Sequence, residues 1–153
     1  MKKIVLTFIL SIPVLAQACI GYVIGFKGLN DAFDNVAFET YSNHYNYCNK
    51  VYSWHQLDEA LDFIHKLNVR YRLYGYSKGA ETVGHVLKNN KRKKPEYVIT
   101  IGAYKTTNVN FDKYKVKYKN YFDDSGRGQK SPGVFLQVPH SEIQKEVNKL
   151  KGY

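Results

Sequence analysis

A three-layer αβα sandwich around a mostly parallel sheet of about six strands is the fold class this sequence predicts. Apolar runs of strand length alternate with helix-period stretches through most of the 153 residues, the signature of repeated β-α units. Residues 97–103 (Tyr-Val-Ile-Thr-Ile-Gly-Ala) are apolar on both faces, as a parallel strand buried between helices must be. With 44% apolar and 15% aromatic content, the chain can fill one core and has no room for two domains. No internal repeat is present, and the longest biased stretch, the basic run Lys88 to Lys94, reads as a loop.

The elements follow in order. Residues 20–26 form a continuous apolar strand. The turn Lys27 to Asp31 leads into a helix with Ala32, Phe33, Val36 and Ala37 at helical spacing, capped by Asn30 or Asp31. Residues 50–54 make a short second strand. The next helix carries Leu57, Ala60, Leu61, Ile64 and Leu67 on one face, with Ser53 and Gln56 as a capping box. Residues 70–76 are the third strand, and the helix after Ser77 turns Ala80, Val83, Gly84 and Leu87 inward. Residues 97–103 are the fourth strand. Over residues 114–122 Tyr114, Val116, Tyr118 and Phe122 alternate with Lys115, Lys117 and Lys119, as in a half-exposed strand near the sheet edge. Residues 134–138 are the last strand, and Ser141 with Gln144 opens a final helix that faces Ile143, Val147 and Leu150 inward.

Residues 1–18 differ from the rest. Lys2 and Lys3 precede an apolar run from Ile4 to Ala16, and Ala16-Gln17-Ala18 is a small-x-small site, the three parts of a secretory signal peptide. The run is too short to span a bilayer, and Pro13 disfavours a central strand. The expected organisation is therefore a signal at 1–18 and one domain at 19–153, in an exported protein, periplasmic or secreted. Cleavage would leave Cys19 first, open to lipid attachment, but the leucine expected three residues before a lipidated cysteine is Ala16 here. Cys19 and Cys48 precede apolar runs read as neighbouring parallel strands, so a Cys19–Cys48 disulfide is the competing fate.

Net charge is +10, and loss of Lys2 and Lys3 removes two units. Export argues against nucleic acid as the partner, and the lysines are scattered outside the run at 88–94. An anionic membrane or envelope surface fits better, beside the plainer reading of a solvated basic face. The chain is expected to act as a monomer. No His-Glu-x-x-His and no Cys-x-x-Cys pair occurs, so neither metal nor other cofactor is expected.

In a parallel α/β sheet the site lies beyond the carboxyl ends of the strands. Those places hold Lys27-Gly28, then Ser77 within Gly75-Tyr76-Ser77-Lys78-Gly79, then Asp123-Asp124, then His140 after Pro139. Gly-x-Ser-x-Gly alone arises by chance in roughly one chain in twenty of this length at average glycine usage of about 7%. Its setting between a strand and a helix is what distinguishes it, because a sharp turn there exposes the hydroxyl. Serine is a weak nucleophile that needs a base, and the base needs a carboxylate to fix its tautomer. Of the five histidines, only His140 follows a strand end after the nucleophile: His65 and His85 fall inside helices, and His44 and His55 come earlier.

The order Ser, Asp, His and the strand-turn-helix setting resemble a small α/β-hydrolase of the serine esterase or lipase type, over essentially all of residues 19–153. The resemblance implies Ser77 as nucleophile, His140 as general base, and Asp123, or alternatively Asp124, as the acid. It implies the backbone N–H of Lys78 as one oxyanion donor and that of Phe26 or Lys27 as the other, although no histidine precedes Gly28 as in the family's His-Gly loop. The expected activity is cleavage of a carboxylic ester, small or surface-presented, through an acyl-enzyme. Acyl transfer or thioester cleavage would use the same triad. A non-catalytic envelope-binding protein on the same fold is the reading outside enzymology.

Overall fold

The computed structural model describes residues 18–90, 93–103, 109–125 and 131–150; the signal expected at 1–18, apart from Ala18, lies outside them. Six strands, β1 (Gly21–Phe26), β2 (Cys48–Tyr52), β3 (Arg70–Tyr76), β4 (Tyr97–Ile101), β5 (Tyr118–Phe122) and β6 (Val134–Phe135), form one sheet in the order β2-β1-β3-β4-β5-β6. Every pairing is parallel. The direction of winding reverses between β1 and β3, which opens a crevice at their carboxyl ends. The helices are α1 (Asn35–His44), α2 (Leu57–Lys66), α3 (Lys78–Asn89), the single turn α4 (Phe111–Tyr114) and α5 (Ile143–Lys149).

Strand alternation sorts the core into two layers. Ile24, Leu73 and Val98 pack with Ala60, Ile64, Val83 and Val86 beneath α2 and α3. Val23, Tyr74 and Ile99 pack with Phe38, Tyr41, Ile143 and Val147 beneath α1 and α5. Burying an apolar side chain of this size contributes about 1.5–3 kcal/mol, so truncating fully buried Phe38 to alanine should cost about 3–5 kcal/mol. Tyr41, Tyr71, Tyr74 and Tyr121 are also fully buried, and a buried hydroxyl needs a partner. Tyr71 donates to the Lys93 carbonyl at 2.6 Å and accepts from Asn90 at 2.7 Å, and Tyr74 accepts from Gln144 at 3.0 Å.

At the amino end of the sheet Cys19 and Cys48 form a disulfide with a Cα–Cα distance of 5.6 Å. A sulfur held in that bridge is not free to carry a lipid. Nearby, the Arg72 guanidinium lies 3.5 Å from the centre of the Tyr45 ring, and Arg72 donates to Glu96 at 3.0 Å. Tyr47 donates to the same Glu96 oxygen at 2.9 Å. Burial pulls the Glu96 carboxyl upward, but these hydrogen bonds outweigh it and hold the group below its ordinary value.

Some local expectations fail for identifiable reasons. Leu29–Asp31 is a short 3-10 turn with Asn30 and Asp31 at φ 53° and 55°, and α1 begins at Asn35, capped by Asp34, which accepts from the Ala37 N–H at 2.9 Å. Ser53 and Gln56 make only half a capping box: the Ser53 N–H donates to Gln56 at 2.8 Å, while its hydroxyl is bonded to Asp31. Residues 114–117 belong to α4 and a turn rather than to a strand, and β6 is two residues long. The capping box at Ser141 does not form. Gln144 is buried, accepts from the Asp34 N–H at 2.9 Å, and ties α5 to the start of α1.

Candidate active site

Ser77 is the hinge between β3 and α3. Its backbone lies at φ 53°, ψ −119°, outside the left-handed helical well, a conformation that costs a non-glycine residue about 1–3 kcal/mol. Surrounding structure holds it there. The Ser77 N–H donates to the Ile101 carbonyl at 2.9 Å, which pins the turn to β4. Gly79 lets the start of α3 press on β1, since a Cβ there would lie 2.1 Å from the Phe26 carbonyl oxygen. A side chain at Gly75 would likewise meet the Ala80 Cα at 2.8 Å. Both glycines of the motif are needed for close approach.

Asp123 directly follows β5 and is fully buried, with its Oδ2 2.6 Å from His140 Nδ1. Its Oδ1 accepts from the Ser125 N–H at 3.0 Å and from the Ser125 hydroxyl. Burial works to raise this carboxyl, but the bonds from Ser125 and His140 prevail and hold it below its ordinary value. An ionised carboxylate only accepts, so Nδ1 donates in this contact, and in the neutral form of the ring Nε2 is then the acceptor. Asp124 is exposed, and its N–H donates to the Val138 carbonyl at 2.9 Å. Of the two aspartates, Asp123 meets the histidine.

Ser77 and His140 lie on either side of the end of β4. The Ser77 N–H bonds to Ile101, and the next residue, Gly102, has φ 57° and would place a Cβ 2.8 Å from His140 Nδ1 and Cε1. No hydrogen bond joins the Ser77 hydroxyl to the ring among the described residues. Such bonds are often long before substrate binds.

The turn after β1 touches the serine, since a Cβ at Gly28 would be 3.0 Å from Ser77 Cβ and 3.5 Å from Oγ. The donors differ from expectation. Lys27 is ruled out because its N–H is committed to the Tyr52 carbonyl at 3.0 Å, and the Gly28 N–H is bonded to Ala32 at 2.9 Å. Phe26 remains inside the sheet ladder, opposite Tyr52 and Gly75. Leu29 opens the 3-10 turn, where a first residue has no acceptor within its own helix, and Lys78 opens α3 directly after Ser77. Leu29 was not a sequence candidate, and its signal is its place directly after Gly28.

Sequence reasoning also missed Tyr76 and Ser125. The Tyr76 ring stacks on His140 with centroids 5.0 Å apart and planes 21° apart, and its hydroxyl donates to the His140 carbonyl at 3.0 Å. An open cleft of about 530 Å³ adjoins, lined by Phe33, Asp34, Val36, Tyr76, Ser141 and Lys145 among others. Among the described residues no cluster of three or more His, Cys, Asp or Glu is arranged to hold a metal ion, and no helix is long and apolar enough to cross a membrane.

No protein-family model and no curated protein matches the chain. Several solved structures resemble it, among them the following two. One, described as a YdeN-like hydrolase of Pectobacterium atrosepticum, has a TM-score of 0.54 at 12% identity, over 84% of this chain and 89% of its own. The other, Est1E from Butyrivibrio proteoclasticus, has a TM-score of 0.59 at 12% identity, over 86% of this chain and 85% of its own. At this identity the likeness speaks for the fold alone, and the fold is that of a reduced, six-stranded α/β-hydrolase.

Proposed function

We propose that this protein is an exported serine hydrolase that cleaves a carboxylic ester through an acyl-enzyme, with Ser77, His140 and Asp123 as its triad. The observation that carries the reading is the contact between the buried Asp123 carboxylate and the partly exposed His140 ring, at the same sheet edge as a serine held in strained geometry. As Ser77 Oγ attacks the ester carbonyl, His140 Nε2 takes its proton, and Asp123 stabilises the imidazolium. The Lys78 N–H, with that of Leu29, would bind the oxyanion. Collapse breaks the bond to the alcohol, which leaves with the proton from Nε2. Water then gives a proton to Nε2 and attacks the acyl carbon, and release of the carboxylic acid returns the proton to Ser77. The Cys19–Cys48 bridge supports export, since such bonds persist in oxidising compartments.

Ser77→Ala and His140→Ala should each abolish turnover of a nitrophenyl ester without changing the circular dichroism spectrum. Fluorophosphonate should label Ser77 in the wild type and nothing in Ser77→Ala. Wild-type turnover in either variant would refute the triad.

A further inference from the structure

The segment of His140 is anchored on either side, by the Asp124 N–H bond to the Val138 carbonyl and by buried Ile143 of α5, but neither anchor fixes the ring. The strand before His140, β6, has two residues, with Val134 44% and Phe135 57% exposed, and α5 starts three residues after His140. The His140 side chain is 35% exposed. Asp123 fixes one atom of the ring, Nδ1, and a ring pinned at one atom can still swing about that contact. Tyr76 supplies what is missing. It stacks on a face of the imidazole and bonds to the main-chain carbonyl of the same residue, so ring and backbone are both constrained. Tyr76 is itself 5% exposed and is bonded covalently to Ser77, so the ring is held in register with the nucleophile.

Resting on the reading of Ser77 as nucleophile and His140 as base, we propose that Tyr76 is a positioning residue that holds the His140 imidazole for proton exchange with Ser77. The stack gains strength when the ring is charged, because a cation over an aromatic face is attracted to it, so the hold tightens as His140 takes the serine proton. The Tyr76 hydroxyl remains a donor throughout: burial, then the nearby Asp123 and Asp34 carboxylates, push it up to about 12. The ring also lines the cleft, so a substrate group seated there would rest against the residue that aims the base.

Two variants test this, Tyr76→Leu, which removes stack and hydroxyl, and Tyr76→Phe, which keeps the stack. The readouts are kcat and KM for a nitrophenyl ester, and the proton NMR signal of His140 Nδ1–H, which needs no turnover. Tyr76→Leu should lower kcat about tenfold to a hundredfold with KM little changed, since a misplacement of about 1 Å can cost about a hundredfold. Its Nδ1 proton should exchange faster with water. Tyr76→Phe should recover most of the loss, leaving a deficit of about two- to tenfold for one hydrogen bond. A folded Tyr76→Leu protein with wild-type kcat and an unchanged Nδ1 signal would overturn the proposal. If Tyr76→Leu does not fold, Tyr76→Phe decides: wild-type kcat and Nδ1 exchange would overturn it as well. A wild type that neither hydrolyses the ester nor reacts with fluorophosphonate would defeat the hydrolase reading instead, and the Nδ1 signal would still report whether Tyr76 holds the ring.

Discussion

The two ends of the sheet are built on opposite terms. At the amino end Cys19 and Cys48 join β1 to β2 covalently, and Arg72 lies against Tyr45 while sharing Glu96 with Tyr47. Asn46 and Lys115 there have positive φ, but each follows a helix, where a left-handed residue is an ordinary ending. At the carboxyl end Ser77 has φ 53°, ψ −119°, Asn30 and Asp31 are both left-handed, and a carboxylate is fully buried. One end accumulates stabilising contacts, and the other holds conformations that a chain selected for stability alone would avoid. Strain tolerated where chemistry occurs and compensated elsewhere is a general pattern, and here the two are separated along one set of strands.

If that division is right, substitutions at the two ends should separate activity from stability. The largest effect is expected at Ser77. Replacing it with glycine should remove about four to six orders of magnitude in turnover yet stabilise the fold by about 1 kcal/mol through relief of backbone strain, read as a raised melting temperature. The converse is the double variant Cys19→Ser, Cys48→Ser. Opening a bridge of sequence separation 29 should cost about 3–4 kcal/mol, while turnover well below the melting temperature stays within about twofold, since distant sites act independently. Gly79→Ala sits where the two terms meet: a Cβ 2.1 Å from a backbone oxygen should destabilise by about 1–3 kcal/mol or more and lower turnover by displacing the serine turn.

The smallest effect is on the acid limb of stability. Asp123 is held below its ordinary value of 3.8 in the folded protein. Its contribution is therefore full above that value and is lost as pH falls through the lower, folded one. Asp123→Asn should flatten the decline of stability below about pH 4, measured by denaturant titration at stepped pH. An unchanged acid limb would show that Asp123 is not the group responsible.

Much of this was legible in the sequence, because long patterned segments are dictated by burial. The third strand runs over residues 70–76 as its pattern requires, and the Gly-x-Ser-x-Gly turn stands at its end. Contacts made at long range were not legible. Gln144 reads as a local cap for α5, but the Asp34 N–H and the Tyr74 hydroxyl, 110 and 70 residues away, claim its side chain. The choice between Asp123 and Asp124 depends on which is buried, and adjacent residues leave no periodic trace of that. Tyr76 looks like one more core aromatic on an alternating strand, and nothing local shows that its ring meets a histidine 64 residues on. Lys27 failed as a donor because β2 claims its N–H, a matter of pairing register.

The brevity of β6 has a consequence for how the molecule fails. Two residues of ladder and two further bonds, Leu136 N–H to the Phe122 carbonyl and Asp124 N–H to the Val138 carbonyl, tie the His140 segment to the sheet along one edge, whereas the Ser77 turn is anchored in β3, which is paired along both edges. Segments with few buried contacts open at lower free energy than the core. If Ser77 and His140 act as proposed, rising denaturant should therefore abolish activity while most of the sheet is intact, with Ser77 still in its strained turn and His140 gone from its side. Loss of activity would then report the detachment of one short edge, well before the unfolding of the protein.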